Sequence, residues 1–192
     1  MNAAQSHSPK LSVVPEDTPN PFSNKFSLNR TLLSGPGRDF PNAAAALRSP
    51  LAAELFHIPD VKGVYLGEDF VTVSIKAGGN WWALRPLVVQ TIENFIATGT
   101  PAVGAAAPEP APPTKPLTTV ELGIIQILET EIQPAVAMDG GQISFAGYEN
   151  GIVRLFLRGA CHSCPSSIMT LKVGIENRLK QQFPEIVAVE AM

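Results

Sequence analysis

Cys161 and Cys164 are the two cysteines of the chain, three positions apart in Gly159-Ala160-Cys161-His162-Ser163-Cys164-Pro165-Ser166-Ser167. Thiolates are soft, strong ligands, and two on one tight loop can grip a metal ion or one edge of an iron–sulfur cluster. Two are half of the usual four-ligand set, so the pair either recruits ligands from a second molecule or works as a redox dithiol. The loop lies between an apolar strand pattern and an amphipathic helix pattern opened by Pro165. Unpaired N–H groups and the positive dipole end at the head of that helix favour anions. Both thiolates are therefore expected to form more readily than in a free chain. Gly159 and Ala160 let the backbone pass close to whatever the sulfurs bind.

Four chemistries compete for the pair. Two buried, inert cysteines would be a coincidence at a helix start. A thioredoxin-like thiol–disulfide oxidoreductase shares the plan of a strand, then Cys-x-x-Cys on a helix start. That fold needs two more strands and a helix afterwards, yet 28 residues follow Cys164 and the helix takes most of them. Zinc wants four ligands. His7, His57 and His162 are scattered and no second Cys-x-x-Cys exists, although a dimer could hold one ion in four sulfurs. An iron–sulfur cluster bridged between two chains completes the ligand count with no residue left over. Adjacent side chains on a tight loop rarely converge, so His162 is assigned a surface or supporting role. The acidic residues form no nucleophile–base constellation, and no enzyme is expected.

Composition narrows the setting. The net charge of -3 argues against a nucleic-acid binder, which normally carries a basic excess. Residues 1–98 hold eight basic and eight acidic side chains, and residues 99–192 hold six and nine, so neither half projects a strong field. No run approaches the roughly 20 apolar residues that cross a bilayer. The first twenty residues lack the charged and apolar regions of a secretory signal, and their Glu16 and Asp17 without Arg are the wrong balance for a mitochondrial leader. A reducing cytoplasm is the expected location, where a close cysteine pair binds metal or does chemistry.

The elements that must position the pair can be read from spacing. Residues 99–116 carry six prolines interleaved with alanine, which denies them helix and sheet and predicts an extended linker. Before it, residues 1–17 read as a flexible lead and Thr18-Pro19-Asn20-Pro21 as a rigid turn. Short strands are expected over 25–29 and 30–33. Ser49-Pro50 caps a short helix reaching Phe56. Runs 61–66 and 70–75 flank Gly67-Glu68-Asp69 as a hairpin, with Val71, Val73 and Ile75 alternating against Thr72 and Ser74. A helix over 80–97 places Leu84, Leu87 or Val88, Ile92 and Phe95 on one stripe. Trp81-Trp82 should anchor its start on the sheet, with client binding the alternative use of such aromatics.

Beyond the linker, Thr118 and Glu121 have capping-box spacing. Val120, Ile124, Ile127 or Leu128, and Ile132 then form one apolar stripe. Asp139-Gly140-Gly141 makes the turn into strands over 142–147 and 151–157, joined through Asn150-Gly151. After the cysteine loop come a helix bearing Ile168, Leu171, Ile175 and Leu179 and a short strand over 186–189. The reading is α+β, two small α/β-sandwich domains joined by a Pro/Ala-rich linker, with domains over 18–98 and 117–192.

The cysteine loop, with Thr170-Leu171-Lys172, Gly174-Ile175-Glu176 and Asp139-Gly140-Gly141, resembles the C-terminal domain of the NifU-like (Nfu) iron–sulfur carriers over residues 117–192. Thr18-Pro19-Asn20-Pro21, Lys25-Phe26, Ser49-Pro50-Leu51, Val61-Lys62-Gly63-Val64 and Asp69-Phe70-Val71-Thr72-Val73 resemble the Nfu N-terminal domain. The resemblance implies that Cys161 and Cys164 bind a 4Fe-4S cluster, with 2Fe-2S the alternative, shared across a homodimer. It also implies receipt from an upstream scaffold and delivery to apo iron–sulfur clients. The two-domain order fits bacterial and mitochondrial members. Taken with the composition, it gives a bacterial cytoplasmic location as the expectation. His162 between the cysteines and Ala137-Met138 before Asp-Gly-Gly depart from the family pattern, and neither touches a sulfur.

Overall fold

Alternating apolar residues build the first sheet around the expected hairpin. The computed structural model describes residues 11–104, 116–162 and 165–192. Strands β1 (Val13–Asp17), β2 (Ser23–Leu28), β3 (Arg38–Phe40), β4 (Val61–Leu66) and β5 (Phe70–Ile75) pair antiparallel in the order β1-β2-β5-β4-β3. The edge strands β1 and β3 were not expected. β1 lies inside the segment read as a flexible lead, of which residues 1–10 fall outside the described residues. Pro15 is tolerated there because an edge strand needs no second set of ladder bonds. Residues 30–33 form no strand; the N–H groups of Leu32 and Leu33 instead bond to the Glu68 carbonyl at the hairpin tip.

Helices cover one face of this sheet. After a single turn, α1 (Ala43–Ala46), Ser49 caps α2 (Pro50–Phe56) by accepting from the Ala52 N–H, as the Ser-Pro spacing predicts. Asn80 caps α3 (Trp81–Ala97), which buries Leu84, Val88, Ile92 and Phe95. Its exit turns at Gly99, whose φ of +70° suits glycine. Phe26, Leu51, Leu55, Leu66 and Ile92 are fully buried in the core between helices and sheet.

The second sheet has its own core. The Thr118–Glu121 capping box is present in both directions and starts α4 (Thr119–Ile127). A π-helical segment, Leu128–Ile132, leads into α5 (Gln133–Met138). Pro134 explains the slip, because it donates no N–H and its ring crowds the carbonyl four residues back. Strands β6 (Gly141–Glu149) and β7 (Ile152–Gly159) join through Asn150 and Gly151, both at positive φ. α6 (Pro165–Gln182) then crosses over so that β8 (Ala188–Ala191) pairs parallel to β7. Ile124, Leu155, Ile175 and Leu179 are fully buried at its centre. The fold class is α+β, as expected. Of the expected linker, residues 105–115 lie outside the described residues.

One departure bears on function. Alternation along β5 assigns Val71, Val73 and Ile75 to the helix-covered face and Thr72 and Ser74 to the other, yet all six residues of the strand are buried. The polar face is covered by the turns of the second sheet.

Candidate functional site

The cysteine loop begins where β7 runs out. Gly159 takes a φ of +68°, and Ala160–His162 makes one 3₁₀ turn before α6. The Ala160 N–H bonds to the Gly140 carbonyl at 3.1 Å, lashing this turn to the one between α5 and β6. A Cβ at Gly159 would lie 2.5 Å from the Gly140 oxygen, and one at Gly141 would lie 2.6 Å from the Cys161 sulfur. The Asp139-Gly140-Gly141 motif thus does more than turn the chain: the missing side chain of Gly141 makes room for the sulfur.

Cys161 belongs to the second core and is 8% exposed. A cavity of about 50 Å³ beside it is lined by Val136, Asp139 and Leu171 and, from the first sheet's side, by Pro19 and Asn20. Burial pushes the Cys161 thiol up to about 11, and the nearby Asp139 charge adds to the rise. The expectation of an easily formed thiolate is therefore corrected for Cys161. Desolvation of a charged sulfur outweighs the attraction of a helix end in this arrangement. Cys164, the second candidate ligand, lies outside the described residues, as does the His162 side chain. Among the described residues, no three His, Cys, Asp or Glu side chains gather as a metal set.

The residues that sequence reasoning missed come from the first sheet. Asn20 Nδ2 donates to the Ala160 carbonyl at 2.9 Å and Thr72 Oγ1 to the Gly140 carbonyl at 2.6 Å. The Tyr65 hydroxyl donates to Gln142 Oε1 at 3.0 Å, and Lys25 Nζ reaches the Met138 carbonyl at 3.4 Å. The rigid Thr18-Pro19-Asn20-Pro21 turn was the one local signal. Its polar Asn20 is buried, anchored by its own Oδ1 accepting from the Phe22 N–H. Of the tryptophan pair, Trp81 anchors α3, packing 6.2 Å from Phe26 and donating Nε1–H to the Pro21 carbonyl. Trp82 does not: it is 89% exposed.

The family model described as "NifU-like domain" matches residues 124–190, and that described as "Scaffold protein Nfu/NifU N terminal" matches residues 13–99. The human protein named "NFU1 iron-sulfur cluster scaffold homolog, mitochondrial" is 44% identical over 91% of this chain and 69% of its own length. The protein of the same name from Drosophila sechellia is 44% identical over 91% of this chain. The chain spans 62% of that relative's length. Among solved structures, a NifU-like protein from Saccharomyces cerevisiae superposes with a TM-score of 0.46 at 19% identity, covering 55% of this chain and 96% of that one.

These relatives, named as mitochondrial proteins of animals, overturn the bacterial cytoplasmic expectation. A close cysteine pair reports a reducing compartment, a property that does not separate the cytosol from the mitochondrial matrix. No described helix is long and apolar enough to cross a membrane.

Proposed function

Because the chain belongs to the NifU-like family of iron–sulfur cluster scaffolds, we propose that it carries a 4Fe-4S cluster between an upstream scaffold and apo client proteins. Cys161 and Cys164 are the ligands, two from each chain of a homodimer. The cluster is cargo rather than a tool, and the protein is not an enzyme. The work divides between a domain over 18–98, a linker over 99–116 and the cluster-binding domain over 117–192.

The observation that carries this reading is the position of Cys161. Its sulfur stands at the head of α6 in a crossing that only glycines at 141 and 159 permit. Four ligands suit the cluster, and one chain brings two cysteines. Each chain then holds half of the coordination, and parting the dimer opens iron to a client thiolate. Exchange proceeds one ligand at a time. A client thiolate binds iron as Cys161 or Cys164 leaves and takes up a proton, and no electron moves.

Anaerobic reconstitution with iron and sulfide tests the proposal. The parent should turn brown and sediment as a dimer, with four iron atoms per pair of chains, whereas Cys161→Ser and Cys164→Ser stay colourless, folded and monomeric. A complete cluster in a single chain, or in either serine variant, would refute the two-plus-two arrangement.

A further inference from the structure

The hydrogen bonds joining the two sheets converge on the cysteine loop and the turn beneath it. Thr72 and the Ala160 N–H share the Gly140 carbonyl, and Asn20 takes the Ala160 carbonyl, one residue before Cys161. Shape supports the contact as well. A Cβ at Gly140 would sit 2.7 Å from Thr72 Oγ1 and 3.1 Å from Lys25 Cβ, so glycine lets the sheets close on each other. Pro19 and Asn20 wall the cavity at the Cys161 sulfur.

With Pro19 and Asn20 beside it and only 8% of its surface exposed, the docked Cys161 leaves little room for iron held jointly with another chain. The seam that covers it is built of side-chain-to-carbonyl bonds, while the two apolar cores remain separate and share no residue. Interfaces of this polar kind part without stripping water-excluded area from either core, and so open at less cost than the domains unfold. Both halves belong to one chain, so they stay near each other once parted.

We infer that the first sheet is a latch on the cysteine loop: docked, it shields Cys161, and undocked, it frees the loop to share a cluster with a second copy of the chain. What the freed loop does rests on the carrier reading; the docking does not.

The full chain carrying Thr72→Val and Tyr65→Phe tests the latch. Valine keeps the branched shape that β5 packs, phenylalanine keeps the ring, and each change removes a bond across the seam. Alkylation of Cys161 by iodoacetamide, followed residue by residue with mass spectrometry, should run about tenfold faster than in the parent, the effect of one or two lost hydrogen bonds. An unchanged rate in a double variant that still unfolds cooperatively overturns the latch.

If the double variant does not fold, the parent gives the answer. Its Cys161 alkylation in sub-denaturing urea should rise with a slope well below that of global unfolding. A slope of zero, or one equal to global unfolding, overturns the latch equally. Reconstitution separates the latch from the carrier reading, because the double variant should also load its cluster faster. If neither protein takes up a cluster, the carrier reading fails while the alkylation rates still decide the latch.

Discussion

Asn20 and Ala160, 140 residues apart in sequence, are joined by a 2.9 Å bond from side-chain amide to main-chain carbonyl, with both groups buried. The same amide also donates to Ser23 Oγ at 3.1 Å, so one side chain holds its own turn and the far loop together. Asn20→Ala strands a buried carbonyl, which costs about 1–3 kcal/mol. Asn20→Asp keeps the acceptor for the Phe22 N–H but sets a carboxylate against the Ala160 oxygen, and should cost more. Urea unfolding of the two variants reads both. An alanine variant within about 0.5 kcal/mol of the parent would show this bond to be energetically idle.

The neighbouring tryptophans make an internal control. Trp81 packs on Phe26 and is hydrogen-bonded, whereas Trp82 projects into solvent. Trp81→Ala should destabilise the chain by about 2 kcal/mol or more, and Trp82→Ala by less than about 0.5 kcal/mol. Comparable losses from both in thermal unfolding would contradict the assignment of Trp81 alone as the anchor.

What the sequence made legible was whatever a short window encodes. The 61–66 and 70–75 hairpin, the Thr118–Glu121 box, the Asn150-Gly151 turn and the Ile175–Leu179 stripe are each set by neighbours within a few residues, and each is present. β3 escapes such a window because a short edge strand owes its pairing to a partner that lies beyond two helices, and β1 because Pro15 interrupts its strand pattern. The alternation sets Thr72 and Ser74 on the face away from the helices, and nothing local reports the second sheet that covers it. The acidity of Cys161 is hidden for the same reason. The helix end is written beside the cysteine, while the burial that opposes it arrives from Val136, Leu171 and the Asn20 turn.

Two glycines of the second sheet's domain should behave oppositely. Beside Gly141, an added Cβ meets the Cys161 sulfur at 2.6 Å and Val136 Cγ1 at 3.2 Å. Gly141→Ala should therefore cost about 1–3 kcal/mol by overpacking. Gly174, inside α6, has nothing within 4 Å of its would-be Cβ. Gly174→Ala should stabilise the unloaded chain by about 0.5–1 kcal/mol, since alanine loses less backbone freedom in a helix. Melting temperatures moving the same way in both variants would count against this packing.

Glu176 supplies a pH-dependent tie between α6 and the last strand. Its carboxylate accepts from Lys180 Nζ at 2.7 Å and from the Val189 N–H at 3.0 Å. The Lys180 hydrogen bond first, then the Val189 bond and the Lys180 and Lys172 charges, hold its carboxyl below the ordinary 4.5. A carboxyl that ionises more easily in the folded chain stabilises that chain when charged. The contribution is complete above the unfolded value and fades as pH falls through the lower folded one. Glu176→Gln keeps an acceptor for Val189 but loses the charge. The parent's lead over this variant in urea midpoint should be constant from about pH 8 to about pH 6 and shrink below about pH 4.5. Salt should trim the same lead at neutral pH, because Lys180 is partly exposed. A lead that stays level through acid would mean that the Val189 bond alone, and not the ionised carboxylate, ties β8 to the helix.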